Sequence, residues 1–170
     1  MFGRGGVMKI LWAPWRRKYV TSASAEPGCV FCRALARATD RASLVVHVAP
    51  LSMIVMNLYP YNAGHVMIAP RRHVGRLSEV TPEELGEMAS LAQRLASVIE
   101  EIYRPHGLNL GMNLGRAAGA GIEDHLHLHL LPRWNGDTNF MSVVGETRVI
   151  PEDLGEACKK LRGYFEDSLS

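Results

Sequence analysis

The run His125-Leu126-His127-Leu128-His129-Leu130-Leu131 places a leucine after each of three histidines. Only an extended strand turns alternate residues to opposite faces, so this pattern predicts a strand over residues 125–131. Leu126, Leu128 and Leu130 then face a core, and His125, His127 and His129 share the other side. A solvated face can be built from histidine. The neutral imidazole, however, is useful near pH 7 as a nucleophile, an acid–base group or a metal ligand. Strand geometry limits cooperation among the three, because residues i and i+4 lie about 13 Å apart at a rise of about 3.3 Å per residue. One zinc with bonds of about 2 Å cannot take all three rings. It can take two neighbours, as in a His-x-His hydrolase. A division of labour among the three is more economical.

The remaining elements supply partners for such a strand. Residues 43–48 and 52–57 are β-branched and apolar and read as strands. Tyr59-Pro60-Tyr61-Asn62-Ala63-Gly64 is turn chemistry, and residues 65–69 resume as a strand. Residues 108–114 form another strand, and 115–121, rich in glycine and alanine, a loop. Thr81, Pro82 and Glu84 spell a capping box that opens a helix running to about Tyr103, stopped by Pro105 and Gly107. Leu85, Met88, Ala92, Leu95, Ile99 and Ile102 form its apolar seam. A last amphipathic helix opens at Pro151, with Leu154, Cys158, Leu161 and Phe165 inward. Cys158 on that stripe is a small buried hydrophobe.

Composition closes off other classes. A chain of 170 residues suits a single domain, expected over residues 11–170 behind a flexible Gly/Arg-rich leader at 1–10. Within residues 11–20, Trp12 and Trp15 read as anchors that pack a tail on the core. With 19 basic and 17 acidic residues the balance is only +2, against a dedicated nucleic-acid binder. No run reaches the roughly 18 apolar residues of a membrane span, and no secretory signal is evident. Three cysteines do not make a secreted disulfide framework, so a cytoplasmic protein is expected.

Cys29-Val30-Phe31-Cys32 is the second constellation. Two cysteines at this spacing form a pincer for zinc, and redox motifs share it. The βαβ context of the redox motif is missing here. A four-coordinate site needs two further ligands. His73, on an Arg71-Arg72 turn, and one histidine of the triad are the candidates, with a surface role the alternative for His73.

With these motifs in place, residues 28–140 resemble the histidine triad (HIT) family of nucleotide hydrolases and transferases. The triad fits its pattern of His, apolar, His, apolar, His, apolar, apolar. Residues 57–73 (NLYPYNAGHVMIAPRRH) are similar to the family's turn, Gly-His strand and Pro-basic-His stretch. Residues 132–140 (PRWNGDTNF) look like the bacterial and archaeal branch of dinucleoside polyphosphate hydrolases and phosphorylases.

The resemblance implies an α+β fold: an antiparallel sheet of about five strands, one long helix and a C-terminal helix, forming a homodimer through the helix and an edge strand. It implies cleavage of a diadenosine polyphosphate or adenylyl conjugate through a covalent nucleotidyl-histidine. His127 would be the nucleophile, since a neutral imidazole attacks phosphorus without prior deprotonation. Its other nitrogen would donate to a backbone carbonyl. His129 would hold the phosphate oxygens, and Asn113 matches an asparagine near them. His125 would join Cys29, Cys32 and His73 around a structural zinc.

Asn57 matches a ribose ligand, and Val30, Phe31, Leu35 and Val55 match apolar positions around the base. A core role for Phe31, and loop hydrogen bonding for Asn57 and Asn113, stay open. The chain departs from the family where relatives often place Gln, Ser or Thr just before the triad. Gly119-Ala120-Gly121-Ile122-Glu123-Asp124 stands there, and backbone N–H groups around Gly121 would have to bind phosphate. Whether water or phosphate accepts the nucleotide therefore stays open. A zinc hydrolase using two triad histidines and a non-catalytic nucleotide-binding module remain alternatives. His47, His65 and His106 have no assigned role.

Overall fold

A computed structural model describes residues 28–40, 42–137 and 152–166. The expectations for the leader, for residues 11–20 and for the end of the 132–140 motif lie outside the described residues. The five strands among these residues are β1 (Val45–Val48), β2 (Ser52–Met56), β3 (Val66–Pro70), β4 (Gly107–Met112) and β5 (Leu128–Arg133). They form one antiparallel sheet in the order β1-β2-β3-β5-β4. Among the described residues three α-helices accompany them: α1 (Val30–Ala36), α2 (Pro82–Tyr103) and α3 (Leu154–Glu166). The α+β class, with a long and a C-terminal helix, is the one expected. No helix among the described residues is long and apolar enough to cross a membrane.

Alternation splits the sheet into two faces. Val46, Ile54, Met56, Val66, Ile68, Leu128 and Leu130 form one apolar cluster with Met88, Leu95 and Ile99 of α2 and Leu161 and Phe165 of α3. Val45, Met53, Val55, Met67 and Ala69 belong to a second cluster with Phe31 of α1. His129 pairs with Met67 in register and so belongs to the face of this second cluster.

Both long helices start as their sequences dictate. The Thr81 side chain accepts from Glu84 N–H, and the Glu84 carboxylate accepts from Thr81 N–H. Glu84 also takes two hydrogen bonds from Arg72, at 3.0 and 2.8 Å, tying the segment after β3 to the helix. In α3 the Asp153 carboxylate accepts from Gly155 and Glu156 N–H, so the helix begins at Leu154 rather than Pro151.

Two other expectations are corrected. Leu85 is 41% exposed, while Leu91 and Val98 are buried. The inward stripe of α2 is thus rotated slightly, and Leu85 flanks the edge strand β4. The paired part of the histidine strand also begins later, at Leu128, with only His129 of the triad inside it. Continuing the β3–β5 register would bring Leu126 opposite Pro70, which has no N–H to donate. The chain leaves the ladder there, and Leu126 N–H donates instead to the Val74 carbonyl at 2.7 Å.

Candidate functional site

The segment His73–Gly75 and the approach to β5 lie backbone against backbone. A Cβ on Gly75 would stand 2.7 Å from the Glu123 carbonyl oxygen, so only glycine fits. This contact brings His73 beside His125. Cys29 caps α1 and Cys32 lies on its first turn, which turns both thiols toward the same pair. The His125 Nδ1 is 3.3 Å from Cys29 Sγ, 3.8 Å from Cys32 Sγ and 3.3 Å from His73 Nδ1. Cys32 Sγ to His73 Nδ1 is 3.5 Å, and all four donor atoms lie within 4.8 Å of one another. Tetrahedral zinc with bonds of about 2.0–2.3 Å puts neighbouring ligand atoms roughly 3.3–3.8 Å apart. The donor set therefore fits a metal ion in spacing and chemistry.

His125 is also prepared as a ligand. Its Nε2 lies 2.8 Å from the Pro70 carbonyl oxygen and donates to it, which leaves the Nδ1 lone pair facing the sulfurs. The ring is 0% exposed, and burial lowers its basicity.

His127 follows in the same segment. Its Nδ1 donates to the His125 carbonyl at 2.8 Å, so Nε2 carries a free lone pair. Burial lowers its pKa, favouring the neutral ring a nucleophile requires. The rings of His127 and His129 meet edge-on, with centroids 4.8 Å apart.

His129 has a partner that sequence reading left unassigned. His65 is fully buried, and its Nδ1 accepts from Tyr61 N–H at 3.1 Å. The proton is therefore on Nε2, which donates to His129 Nδ1 at 3.0 Å. That bond leaves His129 with its remaining proton on Nε2, a ready donor to an anion. Burial, then His127, lowers the His129 pKa to about 4, so the ring is a neutral donor near pH 7. The signal was present in the sequence: His65, Met67 and Ala69 share strand parity, and that parity is the face of His129.

The other expected residues are placed as follows. Val30, Phe31, Leu35 and Val55 belong to one cluster on the triad's side of the sheet. The Asn57 oxygen accepts from Tyr59 N–H at 3.0 Å, and its amide lies 3.4 Å from His65 Nδ1. Asn57 thus shapes the turn that holds His65. Asn62 in that turn donates to the Pro132 carbonyl and to Asp137, which also takes paired bonds from Arg133. These bonds hold the Asp137 carboxyl well below its usual range. Asn113 is half-buried just beyond β4, and Gly121 lies exposed in the loop that an Arg116–Glu123 ion pair braces. Among the described residues no side-chain hydrogen bond joins Asn113 to the histidine rings.

The HIT domain model matches residues 38–136. The chain belongs to the histidine triad family. A HIT relative from Mycobacterium tuberculosis, named AP-4-A phosphorylase, is 38% identical over 167 residues, 94% of this chain and 85% of the relative. A bis(5'-adenosyl)-triphosphatase from Dictyostelium discoideum is 31% identical over 134 residues, 75% of this chain and 89% of the relative. Among solved structures, a zinc-bound histidine triad protein from Mycobacterium smegmatis is 27% identical with a TM-score of 0.65. That likeness covers 84% of this chain and 98% of the other. The HIT fold and the site's arrangement thus meet in one chain.

Proposed function

We propose that this HIT protein cleaves diadenosine polyphosphates through a covalent nucleotidyl-His127, and that inorganic phosphate accepts the nucleotide. The observation that carries the reading is the His127 ring: Nδ1 is committed to the His125 carbonyl, and Nε2 is unprotonated beside His129. Nε2 attacks phosphorus, a P–N bond forms, and the P–O bond to the leaving nucleotide breaks. Phosphate oxygen then attacks the same phosphorus, the P–N bond breaks, and the imidazole returns with its Nδ1 proton unmoved. His129 donates Nε2–H to the charged oxygens. Asn57 and the Val30, Phe31, Leu35 and Val55 cluster would take the nucleoside, with Asn113 and the backbone at Gly121 toward the phosphates. Phosphate rather than water is favoured by the name of the 38%-identical relative.

Cys29, Cys32, His73 and His125 would hold zinc with four protein ligands and no open position. When bound, it would act as a staple for the segment before β5. A catalytic zinc that uses His129 is disfavoured, because the N–H that His65 donates to its Nδ1 leaves the His129 proton on Nε2 and no lone pair for a metal. A groove of about 430 Å³ between α2 and β4, lined by Leu85, Ala92, Leu110 and Met112, supports a homodimer on that face of this cytoplasmic enzyme.

Incubation with diadenosine tetraphosphate, with and without phosphate, tests the activity. ATP with ADP, formed only with phosphate, is expected. ATP with AMP would make the protein a hydrolase, and AMP binding without turnover would reduce it to a binding module.

A further inference from the structure

We infer that Phe31 is a positioning residue for His127, and that the metal cluster reaches the nucleophile through Phe31 and the His125 carbonyl. This rests on the zinc and nucleotidyl-histidine readings above. Phe31 stands between the two cysteines and is 1% exposed. Its ring centroid is 5.0 Å from that of His125 and 5.0 Å from that of His127, tilted by 47° and 39°. A cation that gathers Cys29 and Cys32 fixes the turn of α1 that carries this ring. The second line runs through His125, whose Nδ1 faces both thiols and whose carbonyl holds His127 Nδ1.

The two lines act on one rotation. The ring plane contains Cβ, Cγ and Nδ1, so the N–H···O bond sets that plane, but as a single contact it yields to small turns about the side-chain bond. What lies against the ring opposes the turn that would break it. Phe31 lies tilted against His127, and His129 meets the same ring edge-on at 74°. The Nε2 lone pair lies in the ring plane, so its aim at phosphorus follows that plane, and small errors of aim are costly in rate. Phe31 thus does more than fill space: it converts order in the cysteine knuckle into a fixed attack direction.

The test compares zinc-loaded wild type with Phe31→Leu, which keeps an apolar side chain but removes the flat face. Phe31→Met serves as a second variant should leucine not fold, with zinc content and thermal midpoint as the check on folding. Three quantities are read: ¹⁵N spectra of the His127 ring, AMP affinity, and the single-turnover rate of nucleotidyl-histidine formation. The variant is expected to hold zinc and to lose much less in AMP affinity than in rate. His127 should pass from a single Nδ1–H tautomer to a mixture, with the rate down about 10- to 100-fold. Zinc removal from wild type should produce the same spectral change, and should change Phe31→Leu less, since two breaks on one line do not add. An unchanged His127 spectrum and rate in the loaded variant would overturn the inference. So would an equal loss of AMP affinity and rate, which would leave Phe31 as a base contact alone. A wild type that takes up no zinc, or forms no nucleotidyl-histidine, would sink the underlying reading instead. The Phe31→Leu spectrum would still decide whether Phe31 positions His127.

Discussion

His125 and His129 flank His127 at equal distance along the chain, and their rings are held in different ways. His125 gives Nε2 to the Pro70 carbonyl and turns Nδ1 to two thiols and His73. His129 takes a bond from His65 on Nδ1 and keeps its Nε2 proton for another partner. One ring is built into a group of four side chains spaced to hold a metal ion; the other is a donor set by a histidine-to-histidine hydrogen bond. The same residue type acquires opposite duties because the neighbour on one nitrogen dictates what the other can do. His127, between them, borrows from both sides: a carbonyl from one and a ring contact from the other.

The comparison can be broken at its centre first. His127→Asn should lower turnover of diadenosine tetraphosphate by at least about 10³-fold while AMP still binds, as for loss of a nucleophile. Steady-state product assays with calorimetric AMP titration check this, and substantial residual turnover would remove the covalent route. On the metal side, Cys32→Ser or chelation of wild type should release zinc and lower the melting temperature by on the order of 10 °C. Scanning calorimetry with metal analysis reads both. An immediate loss of activity in chelated protein that keeps its melting temperature would instead favour a catalytic metal.

On the relay side the expected effect falls on chemistry. His65→Phe removes the donor to His129 and should lower kcat about 10- to 100-fold, with the AMP dissociation constant within about threefold. His65→Gln, which can still donate an N–H, should recover part of that loss; equal rates in the two variants would argue against the relay.

The smallest effect is one of pH. An unfolded chain protonates His129 near its ordinary 6.5, whereas burial holds the folded ring neutral down to about 4. Its contribution is therefore fully present above about pH 6.5 and is lost as pH falls toward 4. Urea midpoints measured from pH 7 to 4.5 should fall less steeply for His129→Gln than for wild type. Parallel slopes would mean that burial of this ring does not set acid stability.

Much of this was legible before any fold was in hand. Period-two alternation predicts the core leucines around the triad, and Leu126, Leu128 and Leu130 are indeed buried. Thr81 and Glu84 mark the start of α2 to the residue, because a capping box is satisfied locally. Leu85 was misread because periodicity gives the stripe of a helix but not the angle at which it meets a sheet. His65 was missed for a related reason: its duty depends on register with β5, 64 residues away in sequence.

By itself the sequence determined which residue types could do chemistry and which face of a strand they share, since both follow from side-chain chemistry and the two-residue repeat of extended backbone. The tertiary structure decided the partners. It brought Cys29 across 96 residues to His125, and it released His125 from the ladder where Pro70 offers no donor. It also packed Phe31 against His127 and gave His129 its proton arrangement through His65. Those are contacts between distant segments, fixed by packing and hydrogen-bond satisfaction of the whole sheet, and no local pattern encodes them.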